Sequence, residues 1–300
     1  MKGRIVMQKF SIIMPAFKAE DTIASAVLSI IKQEYKDWEL IIVADDYVDY
    51  ESVLGRVGLL HKGIRFLSTG GNASGSPIPR NIGLDSARFE YAAILDADDM
   101  MHPQKLELAV VQLQHHPIIS CALQLLTKNH KPLRTVGEGS DRILTSQDYK
   151  FTNFSSDSML VYDRRVADPR FDSTLSCVTD IDFLLKLFSK SDHCFHFGQT
   201  LHSYVKRPIS VTNGPGASQK IALTKQLMLE RLSSGHYPLA DPQSIPSVQQ
   251  FFTCSLKAEK LYSNALLTNS AALFEDYIEQ TILANTDHVF REEAARLFYL

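Results

Sequence analysis

Two periods of apolar residues organise this chain. Phe10-Ser11-Ile12-Ile13-Met14 is a short, nearly continuous apolar run that ends at Pro15, and it predicts a buried strand. Ile23, Val27, Ile30 and Ile31 then recur at helical spacing, with Asp21 placed to cap that helix. Leu40-Ile41-Ile42-Val43 predicts a second buried strand running into Asp45-Asp46, followed by a helical stretch near Glu51 to His61 and a third strand at Ile64-Arg65-Phe66-Leu67. Ser68 to Pro79 is rich in Gly, Ser and Pro and predicts a loop. Arg80 to Ala87 predicts a short helix, Tyr91 to Leu95 a strand, and Pro103 opens a helix reaching Leu113. Ile118 to Leu126 and Met159 to Tyr162 read as later strands. Asp180 begins a helix with Phe183, Leu184, Leu187 and Phe188 on its apolar side. Beyond about residue 217 strand-like runs cease, and Leu223 to Leu232 and Val248 to Leu300 carry helical periodicity.

Strands alternating with helices imply βαβ units and an α/β fold with a Rossmann-like, mainly parallel sheet. The change of pattern divides the chain into an α/β domain over residues 8–215 and a helical C-terminal extension over 216–300.

Composition narrows the classes. With 300 residues, 45% hydrophobic and 22% charged, the chain has an ordinary globular balance rather than that of a disordered one. Its net charge of −3 gives no basic field for nucleic acid, so no nucleic-acid partner is expected. The four cysteines form no C-x-x-C pair and read as buried thiols of a reducing compartment. No apolar run approaches the roughly 18 residues of a membrane span, and Phe10 to Phe17 is too short and Pro-interrupted for a secretory segment. The expectation is a cytoplasmic protein, with peripheral contact at the inner face of the membrane left open. Oligomeric state is not legible.

Candidate chemistry gathers at strand ends, where open parallel sheets bind ligands. Pro15-Ala16-Phe17, Asp45-Asp46 and Asp96-Ala97-Asp98-Asp99 all fall there. Carboxylates at the first and third positions of an extended segment point to one side, so Asp96 and Asp98 can share a hard divalent cation whose other ligands are substrate phosphates. The competing explanation is a polar strand end with Asp99 capping the next turn. The ten histidines show no metal-ligand spacing; His115-His116 and the pair His193, His196 read as surface or core residues. Gly70 to Gly75 lacks the Gly-Lys-Ser/Thr of a P-loop.

The order of motifs resembles the family-2 glycosyltransferases of the GT-A (nucleotide-diphospho-sugar transferase) fold. It starts with Phe10 to Ile23, continues through Gln33 to Val43, Pro79-Arg80-Asn81-Ile82-Gly83-Leu84 and Leu95 to Asp99, and ends with Arg170-Phe171-Asp172 and Thr179 to Leu187. Each motif is weak alone, but the ordered set is specific. The resemblance implies an inverting transfer of a sugar from a nucleotide-sugar donor, UDP the favoured nucleotide, to the hydroxyl of a carbohydrate or lipid-linked glycan acceptor, in the synthesis of surface polysaccharides or glycoconjugates. It assigns Asp180 as general base and puts Pro15, Phe17, Asp45, Arg80, Asp96 and Arg207 around the donor. Phe17 would lie against the base, Asp45 would accept from base or ribose, Arg80 would sit near the diphosphate, and Arg207 belongs to Ser203 to Thr212, which resembles a late loop folding over the diphosphate. Asp98, with Asp96, would hold Mn²⁺ or Mg²⁺.

Each role has a plainer rival: Phe17 as core packing, Asp45 as a turn cap, Arg80 as a surface residue and Asp180 as the N-cap of its helix. Asp182 reads as structural. The sequence has Val43-Ala44-Asp45-Asp46-Tyr47 where the family commonly has Val-Asp-Asp-Gly-Ser, and Thr179 and Arg207 replace a frequent Glu and His. Two other functions remain in view. A sugar-phosphate nucleotidyltransferase would want a Gly-rich basic loop after the first strand, which is missing here. A non-catalytic nucleotide-sugar-binding scaffold would bind without turnover.

Overall fold

The computed structural model describes residues 8–71, 73–150, 159–206, 217–269 and 271–285. The first half is β1 (Phe10–Ala16), α1 (Ile23–Ile31), β2 (Trp38–Ala44), α2 (Tyr50–Arg56), β3 (Ile64–Ser68), α3 (Pro77–Ser86) and β4 (Tyr91–Ile94). β1 lies between β2 and β4 and is parallel to both, with Phe10 opposite Trp38 on one side and Tyr91 on the other. β3 extends the sheet beyond β2. β1, β2 and β4 are covered on both faces, which is why they read as continuous apolar runs instead of alternating ones. The chain winds outward from β1 to β3 and then returns to the other side of β1 at β4, so a topological switch point opens at the carboxyl ends of β1 and β4.

The second half adds β5 (Met100–Met101), α4 (Lys105–Gln112), β6 (Ile118–Thr127), β7 (Pro132–Val136), β8 (Arg142–Thr145), β9 (Val161–Asp163), α5 (Thr179–Phe188) and β10 (His193–Lys206). The sheet order is β3-β2-β1-β4-β9-β6-β10-β5, with β7 beside β6 and β8 beside β10. β9 is antiparallel to both β4 and β6, and β6 and β10 run parallel. The sheet is therefore parallel through its first four strands and mixed beyond them. The C-terminal helices are α6 (Ala217–Ser233), α7 (Ile245–Leu266) and α8 (Phe274–Ala284).

Two cores flank the sheet. One holds Ile12, Met14, Ile23, Val27, Leu40, Ile42 and Leu106. On the other, Ile13, Leu84 and Ile94 meet Phe183, Leu184, Leu187 and Phe188 of α5, and these in turn share their core with Met228, Leu232, Phe251, Phe252, Ile278 and Ile282. The C-terminal helices thus share a core with the helix that begins at Thr179. α3 approaches β1 so closely that a Cβ on Gly83 would stand 2.5 Å from Cγ2 of Ile13, and this explains a glycine in mid-helix.

Local departures from the sequence pattern have local causes. Thr22, not Asp21, precedes α1, and it makes no side-chain cap. α2 stops at Arg56 instead of reaching His61. α3 starts at Pro77 inside the expected loop, because proline at the first helical turn lacks the N–H that would go unused there. β10 was not visible in the pattern. Its fourteen residues include His196 and His202, both fully buried and both supplied with partners: Ser120 and the Gly137 carbonyl at 2.7 Å for His196, and Asp99 at 3.2 Å for His202. The first four residues of the predicted late loop, Ser203 to Lys206, finish this strand. Arg207 and residues 286–300 lie outside the described residues. All four cysteines are buried free thiols. Among the described residues no helix is long and apolar enough to cross a membrane.

Candidate active site

The carboxyl end of β1 carries Phe17, whose ring is 41% exposed, which excludes core packing. Lys18 after it takes a left-handed φ of 50°, uncommon for a side-chain-bearing residue. The Asp46 carboxylate holds that turn: it accepts from the Lys18 N–H at 2.7 Å, the Val48 N–H at 3.1 Å and the Tyr50 hydroxyl at 2.9 Å. The Tyr50 oxygen accepts from the Ala19 N–H at 3.1 Å, closing a buried lattice between the ends of β1 and β2. Burial and the neighbouring Asp46 raise the Tyr50 phenol far above its ordinary pKa, so it stays a donor.

Asp45 is buried and mostly engaged by protein. Its carboxylate accepts from the Thr69 hydroxyl at 2.9 Å, from the Ser74 hydroxyl, and from the Gly75 N–H at 3.2 Å, and its carbonyl accepts from the Ala73 N–H. A carboxylate offers about four lone-pair sites. Most of Asp45 is thus spent on holding Thr69, Ala73, Ser74 and Gly75 against the end of β2, and the expected direct contact with base or ribose is narrowed to whatever acceptor capacity remains.

The acidic turn departs from expectation in one respect. Residues 96–99 are not extended: the Asp99 N–H bonds the Asp96 carbonyl at 3.1 Å, closing a turn, so the alternation rule does not set where Asp96 and Asp98 point. Nor does Asp99 cap that turn. Its carboxylate is buried and accepts from the Val205 N–H at 2.9 Å and from His202, which anchors the turn to β10. Asp96 and Asp98 are each partly exposed at the switch point.

Arg80 is no surface residue. It is 6% exposed, its Nη2 donates to Asp96 at 2.7 Å, and its guanidinium lies 5.0 Å from the Phe171 ring centroid. Asn81 grips the Phe171 backbone at both ends, donating to its carbonyl at 2.9 Å and accepting its N–H at 2.8 Å. Phe171 stacks on Phe183 of α5 at 4.2 Å. A continuous set of contacts therefore runs from the acidic turn through Arg80 and Phe171 to α5.

Asp180 sits in the first turn of α5 but does not cap it, since the cap position is Val178. Val178 has φ 59° and ψ 24°, a left-handed conformation that is strained for a β-branched residue and is found mainly where the surroundings impose it, functional sites among them. Burial pushes the Asp180 carboxyl above the usual carboxylate range. The helix-start N–H groups and the charges of Arg80 and Lys225 oppose that rise without cancelling it. Asp182 is fully buried and takes the Tyr237 hydroxyl at 2.7 Å and the Lys186 ammonium at 2.7 Å, with Arg231 at 3.8 Å. Its partners on α5, α6 and the segment after α6 make it a structural carboxylate.

Pro15, Phe17, Asp45, Arg80, Asp96 and Asp98 lie at or beside the carboxyl ends of β1, β2 and β4, and Arg80 links the acidic turn to the surroundings of Asp180. The sequence places Asp46, Asn81 and Gln33 within motifs but gives none of them a role of its own. Gln33 donates to the His102 carbonyl at 2.8 Å and accepts from the Leu106 N–H at 3.1 Å, fixing α1 to the segment after the acidic turn. Polar residues inside or next to apolar runs were the available signal. Among the described residues no three His, Cys, Asp or Glu side chains are grouped to hold a metal by themselves.

A model of the family described as Glycosyl transferase family 2 matches residues 11–169. The poly(ribitol-phosphate) beta-N-acetylglucosaminyltransferase TarP of Staphylococcus aureus is 34% identical over 103 residues, 34% of this chain and 32% of that protein. The UDP-Glc:alpha-D-GlcNAc-diphosphoundecaprenol beta-1,3-glucosyltransferase WfgD of Escherichia coli is 36% identical over 106 residues, 33% of this chain and 39% of that protein. The matches thus span about a third of these relatives' lengths. The crystal structure of residues 1–349 of S. aureus TarS in complex with UDP superposes with a TM-score of 0.65 at 16% identity, over 95% of this chain and 86% of that one.

Proposed function

The chain belongs to glycosyl transferase family 2, and we propose that it transfers a glycosyl group from a nucleotide-sugar donor to an acceptor hydroxyl with inversion at the anomeric carbon. One observation carries this proposal: Arg80, ion-paired to Asp96 at 2.7 Å, also stands within electrostatic reach of Asp180, so a buried guanidinium, an acidic turn and a half-buried carboxylate converge at the switch point. The name of the WfgD relative includes UDP-glucose, which favours a uridine nucleotide here. TarP and WfgD are named for polymer and lipid-diphosphate acceptors, which favours a role in polysaccharide or glycoconjugate synthesis.

In this mechanism Phe17 offers its exposed face to the nucleobase, and Asp45 positions Thr69, Ser74 and Gly75 beside it. Arg80 draws the diphosphate towards the carboxyl end of β4 and stabilises the charge that builds on it as the sugar departs. Asp180 takes the proton from the acceptor hydroxyl as that oxygen attacks the anomeric carbon. Its raised pKa makes it a stronger base than an exposed carboxylate. Two partly exposed carboxylates suit a hard cation that completes its shell with phosphate oxygens, and Asp98, with Asp96, would hold Mg²⁺ or Mn²⁺ there. Such an ion would add to the neutralisation of the leaving diphosphate.

The test is a calorimetric titration with UDP, GDP and dTDP in the presence of Mn²⁺ and of EDTA, followed by release of nucleoside diphosphate from the matching donor sugars. UDP binding with slow donor turnover is expected. No binding of any nucleoside diphosphate under either condition would sink the proposal.

A further inference from the structure

The C-terminal helices do more than cover a core. Between them and the sheet lies a cavity of about 220 Å³ whose wall includes Asp180. Val178 and Ile181 flank Asp180, Tyr204 and Lys206 come from β10, and α6 supplies Lys225. α7 supplies Ser255, Glu259 and Tyr262, and α8 supplies Phe274 and Glu275. Its volume is below the roughly 300–1,000 Å³ of sites for drug-sized ligands, so it suits one small unit rather than an oligomer.

The chemistry of the wall is specific. Lys225 and Glu259 are both buried and paired at 2.7 Å, and the Lys225 ammonium lies 4.5 Å from the Phe274 ring centroid. Lys206 is paired with Glu275 at 2.9 Å. Each ammonium of the described wall therefore already has a carboxylate, and Asp180 adds a further negative charge. The Ser255 hydroxyl, 1% exposed and one helical turn from Glu259, has no hydrogen-bond partner among the described residues. A buried orphan hydroxyl is costly unless a ligand or water completes it. The wall thus offers a hydroxyl that donates or accepts, carboxylates that accept, and aromatic rings that favour C–H faces.

We infer that this cavity is the acceptor subsite and that it takes the uncharged, hydroxyl-bearing end of the acceptor, a sugar or polyol unit, in preference to one bearing phosphate or carboxylate at that end. The inference rests on Asp180 acting as the base of the proposed transfer. An anionic end group would meet a wall with an excess of carboxylates and would have to displace Glu259 or Glu275 from its lysine. An uncharged polyol leaves both ion pairs intact, completes Ser255, and lays its C–H face on Tyr262 or Phe274.

The test uses ligand-observed NMR on the full chain with saturating UDP and Mg²⁺. The probes are the methyl β-glycosides of glucose, galactose and N-acetylglucosamine, ribitol, and, as anionic counterparts, methyl β-glucuronide and glucose 6-phosphate. At least one uncharged probe should bind, and its anionic counterparts should bind more weakly by about tenfold or more. Ser255→Leu, which fills the cavity, should abolish saturation transfer to that probe while UDP affinity is unchanged. Ser255→Ala, which folds more readily, should weaken it several-fold. Glu259→Gln, which leaves Lys225 without its carboxylate, should shift the preference towards glucuronide. No uncharged probe binding, anionic probes binding equally well, or binding that survives Ser255→Leu would each overturn the assignment. Loss of UDP binding by the unaltered protein would instead strike at the transferase proposal, so the two failures are distinguishable.

Discussion

Gly83→Ala is the substitution that ties the fold most directly to the site. A Cβ at residue 83 would stand 2.5 Å from Cγ2 and 3.2 Å from Cγ1 of Ile13, where ordinary contact begins near 3.4 Å. Either Ile13 turns away or α3 retreats by about 1 Å, and a fully buried β-branched side chain in a close-packed core has little freedom to turn. Overpacking of this kind costs about 1–3 kcal/mol, and alanine regains about 1 kcal/mol of helix propensity over glycine. The net loss is about 0–2 kcal/mol, a fall in midpoint of no more than roughly 6 °C. The functional effect should be larger in proportion. Arg80 lies one turn away on the same helix face and meets Asp96 at 2.7 Å, so a retreat of about 1 Å takes that pair beyond hydrogen-bond length. Nucleoside-diphosphate affinity should fall about tenfold, or about 1.4 kcal/mol. Calorimetry with UDP and a thermal melt on the same samples measure both, and Ile13→Ala in the same chain, which removes Cγ2, should restore affinity while lowering stability. A Gly83→Ala protein with a higher midpoint and unaltered UDP affinity would refute the claim that this close approach sets the position of Arg80.

Further outcomes follow from the site. Asp180→Asn should lower transfer by about 10²–10⁴-fold with donor affinity changed less than a few-fold, and Asp182→Asn should act on stability far more than on rate; near-normal transfer by Asp180→Asn would remove Asp180 as the base. Because burial raises the Asp180 pKa, the folded state holds that proton more tightly than the unfolded chain, so ionising Asp180 costs stability as pH rises through the window above the ordinary carboxylate value. Asp180→Asn should therefore melt no lower than the parent at neutral pH, with any advantage vanishing in acid, and the parent's rate should fall on the acid side as the base is protonated. Asp98→Asn should make UDP affinity indifferent to Mn²⁺ without altering the melt, and equal binding by the parent protein with and without EDTA would count against a metal at this turn. Ending the chain at residue 216 removes Met228, Leu232, Phe251 and Phe252 from the core they share with α5, so size-exclusion chromatography should find aggregate rather than monomer.

The legible part of the fold was the part whose stability is local or uniformly apolar. β1, β2 and β4 announce themselves because both faces are buried, and α5 because Phe183, Leu184, Leu187 and Phe188 repeat at helical spacing. β10 was not legible because its histidines are buried against Ser120, Gly137 and Asp99, partners at least 59 residues away that no window of sequence contains. The acidic turn was assigned an extended shape because the strand before it is extended, and only the hydrogen bond back from Asp99 shows that the strand has ended. Asp45 illustrates the limit for site residues. Its place at a strand end marks it as a candidate, but whether a carboxylate serves a ligand or its own loop depends on Thr69, Ser74 and Gly75 folding back onto it.

The dependence of α5 on helices from the far end of the chain has a temporal consequence during synthesis. The strands that form the switch point, with Phe17, Asp45, Arg80 and the acidic turn, are complete by about residue 100. The helix bearing Asp180 emerges later, and its core is filled only when Phe251, Phe252 and Ile278 arrive. At about 5–20 residues per second, the interval from the acidic turn to Ile278 is on the order of 10–40 s. On the proposed mechanism, a nascent chain in that interval would bind a nucleotide before it has a fixed catalytic carboxylate with which to use it. Ribosome-stalled chains exposed to near residue 240, and to residue 300 by means of an added C-terminal linker, should therefore differ in donor turnover far more than in nucleotide capture.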